Sequence, residues 1–136
     1  METQLRTALI AWLAADPALS ATLNDITEEA PSRSAPPWLG ISASASADWS
    51  TKQQRGREVR IAFELHTRGE EAAETALLVT SIEERIELLP RMQESFHIVT
   101  TQFLRARAEQ RQPNRRAVLL EYRFRLFETR FLPTEN

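Results

Sequence analysis

The sequence predicts an α+β fold, in which one antiparallel sheet of about four main strands carries two helices packed on one face. Two segments repeat apolar residues at helical spacing, and several others alternate apolar and polar residues with period two. The order along the chain is helix, strands, helix and a closing hairpin, with no internal repeat and no sign of a domain boundary. Because 136 residues suffice for a single core, we expect one domain over residues 1–136.

Residues 2–15 have the pattern of an amphipathic helix. The apolar positions on its one face are Leu5, Ala8, Leu9, Trp12 and Leu13. Asp16-Pro17 should end the helix, because the residue before a proline is pushed out of the α region. Residues 18–23 then predict one further turn and residues 25–29 a short edge strand, before a loop over residues 30–37 that is rich in proline, serine and alanine.

Residues 38–49 alternate with period two, which predicts a strand rather than a low-complexity linker, because large residues bracket the small ones. One face would carry Leu39, Ile41, Ala43, Ala45, Ala47 and Trp49. The other would carry Trp38, Gly40, Ser42, Ser44, Ser46 and Asp48. Side chains this small would let a helix or a neighbouring subunit approach closely.

The clearest strand covers residues 57–67, with an apolar face that alternates with a polar face. Its apolar face carries Val59, Ile61, Phe63 and Leu65, and its polar face carries Glu58, Arg60, Glu64 and His66. Residues 70–89 predict a second helix that ends at Pro90, and glutamates near its start suit the positive end of the helix dipole. The apolar stripe of that helix would be Ala72, Ala76, Val79, Ile82, Ile86 and Leu89.

Residues 96–109 and 115–131 predict two long strands joined at the turn Gln112-Pro113-Asn114. The first strand switches its apolar phase near Val99, which predicts a β-bulge. The second strand carries its apolar face on Val118, Leu120, Tyr122, Phe124 and Leu126. Across the chain, the residues we expect in the core are Leu9, Trp12, Ile61, Phe63, Val79, Ile86, Leu120, Tyr122 and Phe124.

Composition and charge exclude several classes of function. A formal net charge of -2 provides no global field to hold nucleic acid or an anionic membrane. Because there is no cysteine, the chain has no disulfide framework, no thiolate nucleophile and no cysteine-based metal site. The opening segment lacks the pattern of a secretion signal and no apolar run approaches membrane-spanning length, so we expect no membrane partner.

The chain also offers little for catalysis. Its only histidines, His66 and His97, stand in no metal-binding spacing. It has no GxSxG motif and no glycine-rich phosphate loop, with three glycines in all. We therefore expect no enzyme activity, no metal and no cofactor.

Five arginines lie around the turn of the closing hairpin: Arg105, Arg107, Arg111, Arg115 and Arg116. Such a group is able to contact phosphates, so a small nucleic-acid-binding module is one alternative. No aromatic residues interleave with these arginines and the chain is slightly acidic, which favours a solvated or interface hairpin tip.

Four stretches, taken in order, resemble the tail-terminator family of long-tailed bacteriophages, which includes proteins of gene transfer agents and prophages. They are the opening helix with Asp16-Pro17-Ala18-Leu19, the stretch from Pro37-Trp38-Leu39-Gly40 to Asp48-Trp49-Ser50-Thr51-Lys52, the strand from Gly56 to Thr67 that leads through Arg68-Gly69 into a helix, and the closing strand Leu120-Glu121-Tyr122-Arg123-Phe124-Arg125-Leu126. The chain departs from the family in two turns, since residues 89–95 contain no glycine and Pro113-Asn114 replaces the usual Asp-Gly.

The resemblance implies a structural virion protein without catalytic residues. Such proteins form a homohexameric ring that caps the tail tube at its set length, ends polymerisation and joins the tail to the head connector. The implied partners are further copies of the chain, the tail tube protein and the head-tail connector protein, with DNA only as cargo in the ring lumen. The implied location is the head-tail junction of a phage-like particle assembled in the bacterial cytoplasm. The alternative within such a particle is another connector component, a head-closure or adaptor protein.

The hypothesis for the interface of such a ring comprises Trp38, Trp49, Lys52, Gln53, Gln54, Arg55, Arg123 and Arg125. Trp38 lies on the less apolar face of its strand, and tryptophan and arginine are enriched at interface hot spots. The alternative is that Trp38 covers the edge of the core beside Pro36-Pro37. The polar loop from Trp49 to Arg57 should be mobile in an isolated subunit and become ordered against a neighbour; its alternative is a solvent-exposed hairpin tip.

Overall fold

The computed structural model describes residues 1–29, 34–68 and 72–129, leaving aside the side chains of residues 111 and 112. Its helices are α1 (Glu2–Ala14), α2 (Pro17–Thr22) and α3 (Ala72–Glu87). Its strands are β1 (Asp25–Thr27), β2 (Trp38–Asp48), β3 (Gly56–Thr67), β4 (Phe96–Gln112) and β5 (Arg115–Glu128). The α+β class and the order of elements are confirmed, including the extra turn and the short edge strand expected after the first helix.

The sheet has five strands in the order β1-β2-β3-β5-β4. The four long strands pair antiparallel, as expected, whereas β1 pairs parallel to β2, so the sheet is mixed. Asp16 caps α2 by accepting a hydrogen bond from the amide of Ala18 (3.0 Å), and Pro17 occupies the first helical position. The chain then enters the sheet at its edge and crosses to β2 in the same direction.

All three helices lie on one side of the sheet, which we call the inner face. The strand residues buried there at 0–7% exposure are Val59, Ile61, Phe63, Leu65, Val118, Leu120, Tyr122, Phe124 and Leu126. The helix residues packed on them include Leu5, Leu9, Leu13, Leu19, Ile82 and Ile86. Every expected core residue belongs to this cluster, with Trp12 and Val79 partly buried at its margin.

Trp12 and Arg85 lock α1 to α3 through two reciprocal hydrogen bonds. The indole Nε1 of Trp12 donates to the carbonyl of Arg85 (2.7 Å), and Nε of Arg85 donates to the carbonyl of Trp12 (2.9 Å). The guanidinium carbon of Arg85 also lies 3.4 Å from the centre of the Trp12 ring. Because both carbonyls accept a hydrogen bond from the opposite helix, these bonds fix the position of α1 along α3.

The predicted facing of β2 is wrong beyond Ile41, because the register against β3 shifts between Ile41 and Ala43. After this bulge Ser44 lies opposite Ile61, and so Ser44 points to the inner face while the alanines point outward. Ser44 accepts a hydrogen bond from Arg6 (3.0 Å) and donates one to Glu2 (2.6 Å), both on α1. Helix α1 does approach the small side chains of β2, but it contacts Ser44 rather than the alanines.

The apolar stripe of α3 is also partly wrong, since Ala72 and Ala76 are exposed. Ile82, Ile86 and Leu89 are buried and Val79 packs at the margin of the core, as predicted, whereas Leu78 joins that margin outside the predicted stripe. Burial of an alanine removes little apolar area from water, so the leucine and isoleucine positions decide how the helix is rotated.

The closing hairpin follows the prediction closely, and a bulge lies between Ile98 and Thr100 as expected. Two further register shifts occur between Phe103 and Arg105 and near the tip. Pro113 and Asn114 form the turn, and Asn114 takes a left-handed conformation (φ 63°) that asparagine tolerates well. The last two positions of the predicted strand 115–131 lie outside the described residues.

Candidate assembly surface

The side of the sheet opposite the helices, which we call the outer face, is open in the part of the chain that the structure describes. It carries alternate residues of each long strand, because side chains alternate across a sheet. Its members are Ala43, Ala45 and Ala47 of β2, Glu58, Arg60, Ala62 and Glu64 of β3, Leu119, Glu121, Arg123 and Arg125 of β5, and Thr100, Gln102, Arg105 and Arg107 of β4. These residues are exposed or half-buried, in contrast to the inner face, which is fully buried along β3 and from Leu120 to Leu126 of β5, although Phe103 of β4 remains 43% exposed there.

Cross-strand ion pairs organise the charges of the outer face. Arg105 lies directly opposite Glu121 and binds it through two contacts of 2.5 and 3.3 Å. The hydrogen bond from Arg105 is the main cause that lowers the pKa of the Glu121 carboxyl. Arg123 binds Gln102 across the strand pair (3.2 and 2.5 Å) and forms an ion pair with Glu58 (3.3 Å). The face is therefore mixed in charge and ordered by its own contacts.

A shallow depression of about 530 Å³ lies in the middle of this surface. Its floor is built from Ala43, Ala45 and Ala62, which are too small to fill the space between the longer side chains around them. Arg60, Arg105 and Glu121 stand at its polar margin. The bulge in β2 creates this depression, because it turns the alanines rather than the serines outward. Alternation read along the sequence alone placed those alanines on the inner face.

One end of the outer face is aromatic. Trp49 stacks on Phe127 with ring centres 4.8 Å apart, and the guanidinium of Arg125 lies 5.5 Å from the centre of the Trp49 ring. His97 contacts the other side of Phe127 at 5.8 Å. Trp49, Arg123 and Arg125, which the sequence suggested for an interface, are thus brought together on the outer face.

The loop between β2 and β3 is held at the same end of the sheet. The Thr51 amide donates to the carbonyl of Gln54 (2.8 Å), and the Gln54 amide donates back to the Thr51 hydroxyl (3.0 Å). The carbonyl of Arg55 accepts from the amide of Glu128 at the end of β5 (2.9 Å). The sequence offered no apolar anchor beyond Trp49 for this loop, and these hydrogen bonds add polar anchors to it.

Within this loop, Lys52, Gln53 and Arg55 are exposed and Gln54 is half-buried. Gly56 closes the loop at the first residue of β3, where a Cβ atom would clash with the carbonyl oxygens of Trp49 and Leu126. The loop therefore presents a fixed backbone with three free polar side chains at the aromatic end of the outer face.

Trp38 lies at the other end of β3 from this group. Its ring stacks on His66 with centres 4.0 Å apart and planes 13° from parallel, and only 8% of the residue is exposed. A Cβ on Gly40 would lie 3.3 Å from the Trp38 ring, so the ring covers that glycine. Within one subunit, Trp38 therefore packs over β3 beside Pro36-Pro37, and little of it is left for a neighbour.

The histidines and the hairpin arginines provide no second site. Nε2 of His66 contacts Glu64 at 2.7 Å, and in the described ranges no group of three or more possible ligands is placed to hold a metal ion. Arg105 and Arg107 are engaged by Glu121 and Glu109, the latter pair at 2.9 Å. Those two tip arginines lie within carboxylate pairs, which does not favour phosphate binding. None of the described helices is long and apolar enough to cross a membrane.

A family model described as "Tail completion protein gp17" matches residues 7–126. The chain therefore belongs to this family of tail completion proteins, and it is a structural component of a phage-like particle.

Solved structures agree with this assignment at the level of the fold. A chain of the virion of a native gene transfer agent particle superposes with a TM-score of 0.74 at 20% identity, over 90% of this chain and 94% of that one. The gp17 protein of bacteriophage SPP1 superposes with a TM-score of 0.62 at 19% identity, over 90% and 88% of the two chains. No curated protein sequence matches the chain.

Proposed function

We propose that the chain forms a homohexameric ring that caps the tail tube, ends its polymerisation and joins the tail to the head connector. The observation that carries this proposal is the open outer face on a chain of the tail completion family. A closed ring needs two different patches on each subunit, one for each neighbour. The helix-covered side of the subunit and its open outer face supply these two patches. Both belong to a single domain, which we assign to residues 1–136.

The partners of such a ring are further copies of the chain, the tail tube protein and the head-tail connector protein. DNA passes through the lumen only as cargo. No catalytic step or cofactor enters this function, because each contact joins one protein surface to another.

The aromatic end of the outer face is the part we assign to contacts outside the subunit. There Trp49, Arg123 and Arg125 lie beside the exposed side chains of Lys52, Gln53 and Arg55. Tryptophan and arginine provide large contact areas and hydrogen bonds at interfaces. Gln54 holds the loop in place through its bond to the Glu128 carbonyl (3.4 Å), and Trp38 supports the opposite edge of the sheet.

The experiment is an assay of tail length. Purified chain is added to the tail tube protein of the same particle while tubes polymerise, and tube lengths are measured by electron microscopy. A capping protein shortens the tubes and leaves a ring at one end. Tubes of unchanged length without terminal rings would reject the proposal.

A loop variant in which Lys52 to Arg55 are replaced by glycine and serine tests the assignment of the aromatic end. The exposed loop lies outside the core, so we expect nearly unchanged melting together with reduced capping. A replacement of Glu28 and Glu29 by serine, which lies away from the aromatic end, is the matched control and should cap normally. Normal capping by the loop variant would remove the loop from the contact.

A further inference from the structure

The last turns of α3 carry three glutamates in an arrangement that is unfavourable within one subunit. Glu83 and Glu87 are four residues apart on the helix, where like charges repel. Together with Glu84 they lie at the helix C-terminus, which is the negative end of the helix dipole. Arg85 does not neutralise them, because its guanidinium is held on the Trp12 ring.

A buried and unpartnered hydroxyl lies beneath these carboxylates. Tyr122 of β5 is 0% exposed, and its hydroxyl has no hydrogen-bond partner in the described part of the chain. Burial raises the pKa of this phenol, and the charges of Glu83 and Glu87 raise it further. Burial likewise raises the pKa of the Glu83 carboxyl, with the Glu87 charge as the second cause. Among the described residues, no ion pair joins a cation to Glu83, Glu84 or Glu87.

Leu88 follows this cluster directly and is 67% exposed. Its amide still donates to the carbonyl of Arg85 (3.2 Å), so the residue continues the helical turn and stands beside Glu84 and Glu87. The end of α3 thus presents one large apolar side chain bordered by carboxylates.

The depression on the outer face has the complementary properties. Its alanine floor offers a small apolar recess, and Arg60 and Arg105 stand at its margin. Arg60 is exposed and takes part in none of the ion pairs between described residues, whereas Arg105 is already bound to Glu121. An apolar side chain bordered by carboxylates therefore suits the apolar floor and the Arg60 side of this recess, whereas Glu121 on its margin is already bound by Arg105.

We propose that the C-terminal end of α3 docks into the alanine depression of the next copy of this chain. Leu88 enters the recess of the neighbouring subunit, and Glu84 and Glu87 approach its Arg60. This contact rests on the proposed ring and names the two surfaces that build it.

The placement of the two surfaces makes the contact heterologous. Helix α3 lies on the inner side of the sheet and the depression on the outer side, so one molecule cannot join its own two surfaces. Each copy offers one surface to the subunit before it and the other to the subunit after it, which is the requirement for a closed ring. A dimer held by one such contact would leave one surface of each kind unused, whereas a two-fold dimer would have to make both contacts at once.

Disulfide cross-linking tests the contact directly. Because the natural chain has no cysteine, only the introduced cysteines can form disulfides. The full-length double variant Leu88→Cys/Ala45→Cys should form intermolecular disulfides under mild oxidation, since bridged residues must approach within about 7 Å between Cα atoms. We expect a ladder of covalent species that extends beyond the dimer and collapses on reduction. The matched control is Leu77→Cys/Ala45→Cys, because Leu77 is similarly exposed (71%) in the first half of the same helix, about 16 Å from Leu88 along the helix axis; it should give no ladder.

Charge reversal provides a second, independent measurement by sedimentation. Arg60→Glu and Glu84→Arg should each weaken self-association by about tenfold or more, because like charges then face each other. The combined variant should recover most of the natural association, while Glu74→Arg at the start of α3 should have no effect. Circular dichroism melting of all variants verifies that each exposed substitution leaves the fold intact.

The outcomes separate this contact from the ring itself. The contact would be overturned, and the ring left intact, if sedimentation shows rings but the Leu88→Cys/Ala45→Cys variant forms no covalent ladder. A ladder that stops at the dimer would have the same meaning. Failure of the combined charge variant to recover association would also overturn it. The tube-capping assay with the unmodified chain tests whether the ring forms, independently of the cross-linking and charge-reversal results.

Discussion

The two faces of the same sheet differ in what holds them in place. On the inner face of β5, Tyr122 and Phe124 are wholly excluded from water and pack against two helices. On the outer face of the same strand, Glu121 and Arg123 meet charged or polar side chains across the sheet and remain accessible to solvent. Burial of apolar area is worth far more than ion pairs at a surface. The inner face therefore determines folding, and the outer face is left free to serve contacts between subunits.

The largest effect should come from emptying the inner face. Phe63→Ala removes a fully buried ring that meets Tyr122 edge to face at 6.2 Å, and it should lower the free energy of unfolding by about 3–5 kcal/mol. Arg60→Ala, three residues away on the outer face, should change it by no more than about 0.5 kcal/mol. Denaturant melts of both variants check the contrast, and similar losses for the two would mean that the faces are not divided as described.

The second-largest effect should come from breaking the contact between Trp12 of α1 and Arg85 of α3. Arg85→Met keeps an apolar stem but removes the donor to the Trp12 carbonyl and the cation over its ring, so we expect a loss of about 1–2 kcal/mol in the free energy of unfolding. Arg105→Met on the outer face removes an exposed pair with Glu121 and should leave the melting temperature almost unchanged. A larger loss for Arg105→Met than for Arg85→Met would reverse the comparison.

Tyr122→Phe should act in the opposite direction, with a smaller magnitude. The hydroxyl is buried without a partner, so its removal should be neutral or should raise the free energy of unfolding by up to about 1 kcal/mol. Thermal melting measures the shift. A marked destabilisation would show that the hydroxyl has a partner, such as an ordered water molecule.

The smallest effects concern two glutamates whose pKa values move in opposite directions. The pKa of Glu83 is raised by burial and by Glu87, so its contribution to stability is present below the ordinary pKa of glutamate and is lost as pH rises through the raised value. Glu83→Gln should therefore stabilise the subunit near neutral pH by roughly 0.2–0.5 kcal/mol.

Glu2 is the opposite case, because its pKa is lowered rather than raised. Hydrogen bonds from Ser44 and Ser46 lower its pKa, with a further contribution from Arg6, so its contribution is present above the ordinary pKa and is lost as pH falls through the lowered value. Glu2→Gln should destabilise slightly at neutral pH and much less in acid. The difference in free energy of unfolding between each variant and the natural chain, measured against pH, should rise with pH for Glu83→Gln and fall for Glu2→Gln; slopes of the same sign would contradict the assigned causes.

Long strands with large apolar side chains could be predicted from the sequence, as β3 and β5 show. In both, Val, Ile, Leu, Phe and Tyr alternate with charged residues, so a single phase fits the pattern. β2 could not be predicted in the same way. Alanine and serine differ little in size and hydropathy, and a bulge that shifts the phase after Ile41 leaves no mark in such a run.

The surface was predicted less completely than the fold, because it depends on which strands become neighbours. Alternation placed Arg123 and Arg125 on a polar face, but the pairing of Arg105 with Glu121 depends on register shifts along β4. The loop is similar, since Gln54 reaches the carbonyl of Glu128, 74 residues further along the chain. No local pattern encodes a contact between segments so far apart.

The single covered side of the sheet also determines how members of this family should diverge. Substitutions on the inner positions of β3 and β5 must preserve volume and apolar character, whereas those on the outer positions need only match whatever the neighbouring protein presents. Relatives at 19–20% identity would then retain their overlap mainly at every second residue of these strands. Exchanging only the outer positions between two relatives should transfer the choice of partner while the recipient chain keeps its own fold.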